Sequence, residues 1–205
     1  LADGRPVAFP RLGQGESYFE RAERLTLTRE PNGYALVDSD GLRWRFAPLA
    51  DTDIQPLVSV ENRSGHHRIS FEYDERGFLR LIRDSGGRML PVRTDDQGRI
   101  VEIKGPHPDD DQADVVLLRY AYDRDGNLVE ARDALDHPMR FVYDGHQLVK
   151  ETDGNGLSFY FEYDQPGHEA RCTHTWGDDG IYDHKLDYDT LLKTTHVTNS
   201  LGHTT

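Results

Sequence analysis

At 205 residues the chain is long enough for one large or two small domains. Its 37 acidic and 24 basic residues give a formal charge of -13, which argues against nucleic acid and anionic membrane surfaces, since both attract Lys and Arg. The single cysteine, Cys172, excludes an internal disulfide, and no apolar run approaches membrane-spanning length.

The chain opens at Leu1 rather than Met, with no charged segment leading into an apolar one, and is expected to be a piece of something longer. Residues 1–17 are rich in Gly and Pro and read as a loop or an entry strand around Val7 to Phe9. Glu16 to Arg24 has the makings of a short helical turn, whereas Arg24 to Arg29 already alternates like a strand. Pro31-Asn32-Gly33 signals a turn, followed by a strand from Tyr34 to Val37 and a second turn at Asp38 to Gly41. Leu42 to Phe46 then sets apolar residues on one face and Arg43 and Arg45 on the other.

From Val58 onward the alternation becomes regular. Ile69, Phe71 and Tyr73 face away from Arg68, Ser70 and Glu72. Met139, Phe141 and Tyr143 repeat the pattern, as do Leu157, Phe159, Phe161 and Tyr163. This predicts antiparallel sheet with one preferentially buried face. Only 36% of the residues are apolar, which is low for a thick core, so both faces should be largely wet. The run Gly105 to Asp114, with Asp109-Asp110-Asp111 at its centre, is expected to be a protruding loop between repeats.

The turns repeat. Tyr73-Asp74-x-x-Gly77-x-Leu79 returns as Tyr122-Asp123-x-x-Gly126-x-Leu128 and, without the Tyr, as Asp95-x-x-Gly98-x-Ile100. Tyr143-Asp144-Gly145 is one residue shorter. Tyr163-Asp164-x-x-Gly167 keeps the turn without the Leu, and Tyr188-Asp189 keeps the dipeptide alone. A second turn, Asp-x-x-Gly or Asn-x-x-Gly, recurs at Asn62 to Gly65, Asp84 to Gly87, Asp153 to Gly156 and Asn199 to Gly202. Asp133 to Asp136 matches it with Asp in the glycine position. Asp or Asn opens such a turn by accepting backbone hydrogen bonds, and Gly closes it in the left-handed conformation. A period of about twenty residues carrying two turns is the signature of a hairpin array.

The Tyr-Asp-x-x-Gly copies, Thr152 to Tyr160, Trp176-Gly177-Asp178, Val197 to Thr205 and the opening Leu1 to Pro10 together resemble the YD-repeat (Rhs) family over nearly the whole chain. The resemblance implies an all-β array of antiparallel hairpins forming part of a curled, shell-like sheet. Residues 1–57 would be a pre-repeat β segment and 58–205 the hairpin array. It further implies a wall enclosing the protein's own C-terminal toxin, in an effector of the bacterial type VI system or a related toxin complex. The partners so implied are the remaining repeats, the enclosed toxin domain and secretion-machinery tip proteins, with no nucleic acid and no membrane. The implied location is the bacterial cytoplasm before secretion and then a target cell. YD repeats also occur in cell-surface proteins, so a cell-surface adhesion or carbohydrate-binding module is the alternative, weakened by the lack of disulfides. Asp136, standing where the family has Gly, is expected to shape its turn differently.

Catalytic and metal-binding chemistry is not expected. Asp109, Asp110, Asp111 and Asp114 lack the alternate spacing and terminal Glu of a calcium loop. A turn at Gly177 to Gly180 would bring His174 and His184 together beside Asp183, with the makings of a zinc or iron site, but a surface hydrogen-bonded cluster explains them as well. Asp178 and Asp179 lie in a turn, exposed, without the burial that raises the pKa of a general acid. Cys172 and His174 are spaced to share a strand face but have no orienting third group, so a structural thiol is expected. No nucleophile elbow, phosphate loop or dinucleotide fingerprint is present. The reading is therefore a structural chain with no cofactor.

Overall fold

The computed structural model describes residues 6–49 and 54–205. Among them the regular structure is β-strand with one short 3-10 turn, and the chain forms two compact units divided between Val115 and Val116.

The first unit holds β1 (Ser17–Glu20), β2 (Leu25–Glu30), β3 (Gly33–Val37), β4 (Arg43–Phe46), β5 (Leu57–Glu61) and β6 (Arg68–Tyr73). These are followed by β7 (Leu79–Asp84), β8 (Met89–Thr94) and β9 (Ile100–His107). From β1 to β9 each strand pairs antiparallel with the next. Strand β10 (Asp110–Tyr122) crosses the unit boundary. The second unit continues with β11 (Leu128–Arg132), β12 (Pro138–Asp144), β13 (Gln147–Thr152) and β14 (Ser158–Tyr163). It closes with β15 (Cys172–Gly177), β16 (His184–Asp189) and β17 (Thr194–Asn199), again paired in sequence order.

The register converts the alternation of the sequence into continuous rows. Leu27, Leu36, Trp44, Val60 and Ile69 stand opposite one another across five successive strands. Phe71, Ile82 and Leu90 make a second row. The opposite face carries charge: Arg43 stands against Glu61, and Glu61 against Arg68. Burial is shallow on both faces. Among the described residues Leu25, Ala35 and Val92 are the buried apolar side chains, while Ile69 remains 43% exposed. The sheet is wet on both sides, as the composition predicts, and the preferred face is half-buried rather than buried.

Four expectations are corrected. Ser17 to Glu20 forms β1 and Arg21 to Arg24 a turn, so this stretch is not helical; its alternating Tyr18 and Phe19 pair with Leu27 and Thr26 of β2. The run from Gly105 to Asp114 is not an irregular loop, since β9 and β10 extend through it to a two-residue tip at Pro108-Asp109. The turn at Asp133 keeps the common shape despite lacking glycine: the Asp136 N–H donates to the Asp133 carbonyl at 3.1 Å, and Asp136 takes a φ of 65°. Asp164 does not open a four-residue turn. It closes a longer loop, accepting from the Arg171 N–H through Oδ1 at 2.9 Å, while Gly167 (φ 95°) lies within that loop.

Candidate functional site

What recurs along this chain is a structural device built from a turn, a bulge and a tyrosine. At Asp123 the carbonyl accepts the Gly126 N–H at 3.3 Å, and the Asp123 N–H returns to the Asn127 carbonyl at 3.0 Å. The Asp123 Oδ1 accepts the N–H groups of Asp125 and Asn127 at 3.0 and 2.9 Å. Gly126 has a φ of 89°, which a side chain beyond Cβ would strain. This is a type I turn closed by a left-handed residue, the form that suits a three-residue hairpin loop. The same carbonyl bond from the fourth residue occurs at Asp38, Asn62, Asp74, Asp84, Asp95, Asp133, Asp153 and Asn199. Gly77 and Gly98 both take a φ of 81°, Gly87 and Gly156 90°, and Gly202 78°. Asp144 opens the two-residue turn that the shorter copy predicts, pairing with Gln147. Asp189 accepts from Leu191 and Leu192, with Lys193 rather than a glycine in the left-handed position.

A bulge follows the tyrosine turns. Tyr73 pairs with Leu79 while Glu72 pairs with Leu81, leaving Arg80 extra. The same one-residue shift occurs beside Tyr122, Tyr143 and Tyr163, and beside Thr94 and Phe46, which stand in the tyrosine position. At three of these bulges a backbone carbonyl accepts from a side chain. A tyrosine from the next repeat reaches it: the Tyr73 hydroxyl donates to the Leu57 carbonyl at 2.7 Å. Tyr163 donates to Leu148 at 2.8 Å, and Tyr188 to Cys172 at 2.7 Å. Burial raises the pKa of all three tyrosines, with the Cys172 thiol adding to the effect at Tyr163 and Tyr188. They remain neutral donors at physiological pH. Sequence reasoning finds the tyrosines but misses this role, because the extra residue leaves no compositional mark.

Asn127 ties neighbouring turns together. It is buried, and its Nδ2 donates to Asp123 Oδ2 and to the Gly145 carbonyl, each at 2.9 Å. Its Oδ1 meets His146 Nδ1 at 2.6 Å, which requires that nitrogen to carry the proton. Asp84 and Asp95 are locked from outside by Arg88 and Arg99, each at 2.7 Å.

Such hydrogen bonds hold the carboxylates of Asp84, Asp123 and Asp133 below the ordinary aspartate value of 3.8. The main cause is the Arg88 side chain at Asp84, the Asn127 side chain at Asp123 and the His137 N–H at Asp133. The sign follows: groups with depressed folded pKa values add stability that is complete above the unfolded value and lost as pH falls through the folded one. Thermal stability should therefore hold down to about pH 4 and drop steeply below it. A melting series from pH 7 to pH 2 checks this, and a flat profile across that range would contradict it.

The suggested chemical pairs are not assembled. His174 stands opposite Lys185, and His184 opposite Thr175, so the two imidazoles point to opposite faces. His174 instead lies between Glu162 Oε2 (3.3 Å) and Asp183 Oδ1 (3.2 Å), stacked on Trp176 with ring centres 4.3 Å apart. His184 bonds the Tyr182 carbonyl. Cys172 and His174 do not share a face either, because the bulge places Cys172 against Tyr163 and His174 against Glu162. Burial raises the Cys172 pKa, away from a reactive thiolate. Asp178 accepts the Ser158 N–H and the Tyr160 hydroxyl, and these bonds lower its pKa, the opposite of what a general acid needs. Among the described residues no group of three or more His, Cys, Asp or Glu is placed to hold a metal ion.

Comparison with known proteins agrees with the geometry. The chain is 27% identical over 98% of its length to Toxin protein Tse5 of Pseudomonas aeruginosa, of which it spans 18%. It is 28% identical over 90% of its length to the probable deoxyribonuclease RhsA of Dickeya dadantii, spanning 12% of that protein. A solved structure, the crystal structure of TcdB2-TccC3-Cdc42, shares the fold over 84% of this chain and 9% of its own, with a TM-score of 0.53 and 12% identity. The family model described as Teneurin YD-shell matches residues 57–202, the span that carries most of these turns and bulges and all three tyrosines, so the chain belongs to the YD-shell family and is of the Rhs type.

Proposed function

We propose that this chain is a stretch of wall in a shell that encloses a C-terminal toxin domain, within a bacterial effector exported by a type VI system or a related route. In this reading residues 1–57 are a pre-repeat layer of the wall and 58–205 its hairpin array. The Asp, Gly and Tyr residues of the repeat signature hold the wall together rather than perform chemistry. The observation that carries the proposal is the tyrosine bond to the bulge of the preceding repeat, made by Tyr73, Tyr163 and Tyr188. It fastens a hairpin to the one before it and depends on no apolar core, which is what a thin wall with solvent or cargo on both sides requires. The relative named as a toxin supports the setting. The neighbouring repeats and the enclosed domain would be the partners, and the producing cell's cytoplasm followed by a target cell the locations.

Limited proteolysis of the full-length protein, followed by size-exclusion chromatography without denaturant, tests enclosure. A severed C-terminal domain should co-elute with the shell and resist digestion. A domain that elutes freely or is digested from an intact shell would rule enclosure out and favour an adhesion module.

A further inference from the structure

Both ring nitrogens of His174 face carboxylates, and the two acids come from different elements. Nδ1 lies 3.3 Å from Glu162 Oε2 on β14, and Nε2 lies 3.2 Å from Asp183 Oδ1, just ahead of β16. A neutral imidazole carries a single N–H and satisfies one of these contacts; at the other, a lone pair meets an anion. The doubly protonated ring satisfies both. The ring is also fixed in place. It is 22% exposed and stacks on Trp176, which stacks in turn on Tyr160 with ring centres 5.4 Å apart. Lys185 of β16 stands directly opposite His174 and opposes its charge, with Asp187 next on the same side of that strand. Lys185 is exposed, so solvent screens it, whereas the two carboxylates lie within hydrogen-bond reach of the ring. At the far end of the stack Lys150 lies over Tyr160, whose hydroxyl donates to Asp178.

The loop that Asp183 closes, residues 178–183, is strained. Asp179 and Tyr182 take φ values of 58° and 51°, where a side chain is disfavoured and a bulky one most of all. Asp178 ties one end of the loop to Ser158 and Tyr160. Near the other end His184 Nδ1 donates to the Tyr182 carbonyl at 2.7 Å, a bond that both charge states of that ring make. The contact that changes with protonation is the one from His174.

We propose that His174 is a pH-operated latch on the loop between β15 and β16. Protonated, it clasps Asp183 to Glu162 of β14. Without the proton it releases one carboxylate and holds the other by a bond in which only the acceptor is charged, which is weaker. The strained loop then opens more often. The latch is closed at low pH and opens as pH rises through the range, about 5 to 8, in which histidine changes charge. The inference does not depend on enclosure; it concerns the second unit alone.

Chymotrypsin cleavage after Tyr182, which is 70% exposed, reads the opening of the loop. Rates on the full chain between about pH 6 and 8 are divided by rates on a free peptide of the loop sequence, which removes the protease's own pH dependence. The ratio should rise about two- to fivefold across that range. His174→Gln and Asp183→Asn should each make it independent of pH, with circular dichroism unchanged. Glu162→Gln should move the rise to lower pH, because one of the two charges that retain the proton is gone. Asp183 lies outside the strand ladder, so its variant keeps the test decisive should His174→Gln fail to fold. A flat ratio in the wild type, or a rise that survives Asp183→Asn, would overturn the proposal.

Discussion

Gly98→Ala is expected to cost far more stability than Gly156→Ala, although both glycines close the same kind of turn. Their φ values, 81° and 90°, are equally unfavourable for a side chain. That conformational penalty alone is about 1–2 kcal/mol. A Cβ on Gly156 would meet nothing within 4 Å, whereas one on Gly98 would lie 2.6 Å from the Phe78 ring. The Arg76 guanidinium lies 4.4 Å from the centre of that ring, so a ring that moves aside gives up this contact too. Displacing it adds about 1–3 kcal/mol. Urea denaturation of the two variants checks the difference; equal midpoints would show that the Phe78 contact is not maintained. Gly126→Val, with a branched side chain at 89°, should exceed the alanine penalty as well.

The second large effect is expected at the tyrosines. Tyr163→Phe and Tyr188→Phe remove only a hydroxyl, yet each leaves a half-buried carbonyl, of Leu148 or Cys172, without the donor it has in the wild type. Leaving a buried acceptor unsatisfied costs about 1–3 kcal/mol. Tyr182→Phe provides the control. That ring is 70% exposed, and its substitution should stay within about 0.5 kcal/mol. If all three variants lose the same stability, the tyrosine bonds are not what joins one hairpin to the next.

Much of this was legible in the sequence because the signals are local. An Asp four residues before its paired amide and a Gly at the left-handed position fix a turn with no help from the rest of the chain, and the alternation around Phe71, Phe141 and Phe159 fixes the strands between turns. What could not be read depends on register. The bulges beside Tyr73, Tyr122, Tyr143 and Tyr163 each shift one strand by one residue, and such a shift moves every following side chain to the other face. That is why Cys172 and His174, two apart, face opposite ways. The turn after β15 runs longer than Gly177 to Gly180, so His184 falls opposite Thr175 and not beside His174. The acidic run at 105–114 looked like a loop because charge and proline dominate its composition, yet β9 and β10 continue through it with a tip of only two residues. Asp136 keeps the glycine-type turn, aspartate being one of the few residues that enters the left-handed region, and its carboxylate lies 3.2 Å from Arg132 Nη1, four residues back, and 3.9 Å from Arg119 Nη1 on the neighbouring strand.

Turns and tyrosine bonds, rather than an apolar core, hold this array. Residue-resolved amide hydrogen exchange tests it most directly. The amides of Phe78, Arg99, Asn127 and Leu157, each donated to a turn aspartate at 2.8 or 2.9 Å, should exchange as slowly as mid-strand amides such as those of Phe71 and Phe159. Fast exchange at those four turn amides, beside slow exchange around Leu25, Ala35 and Val92, would show that the small buried cluster carries the fold and would contradict the account.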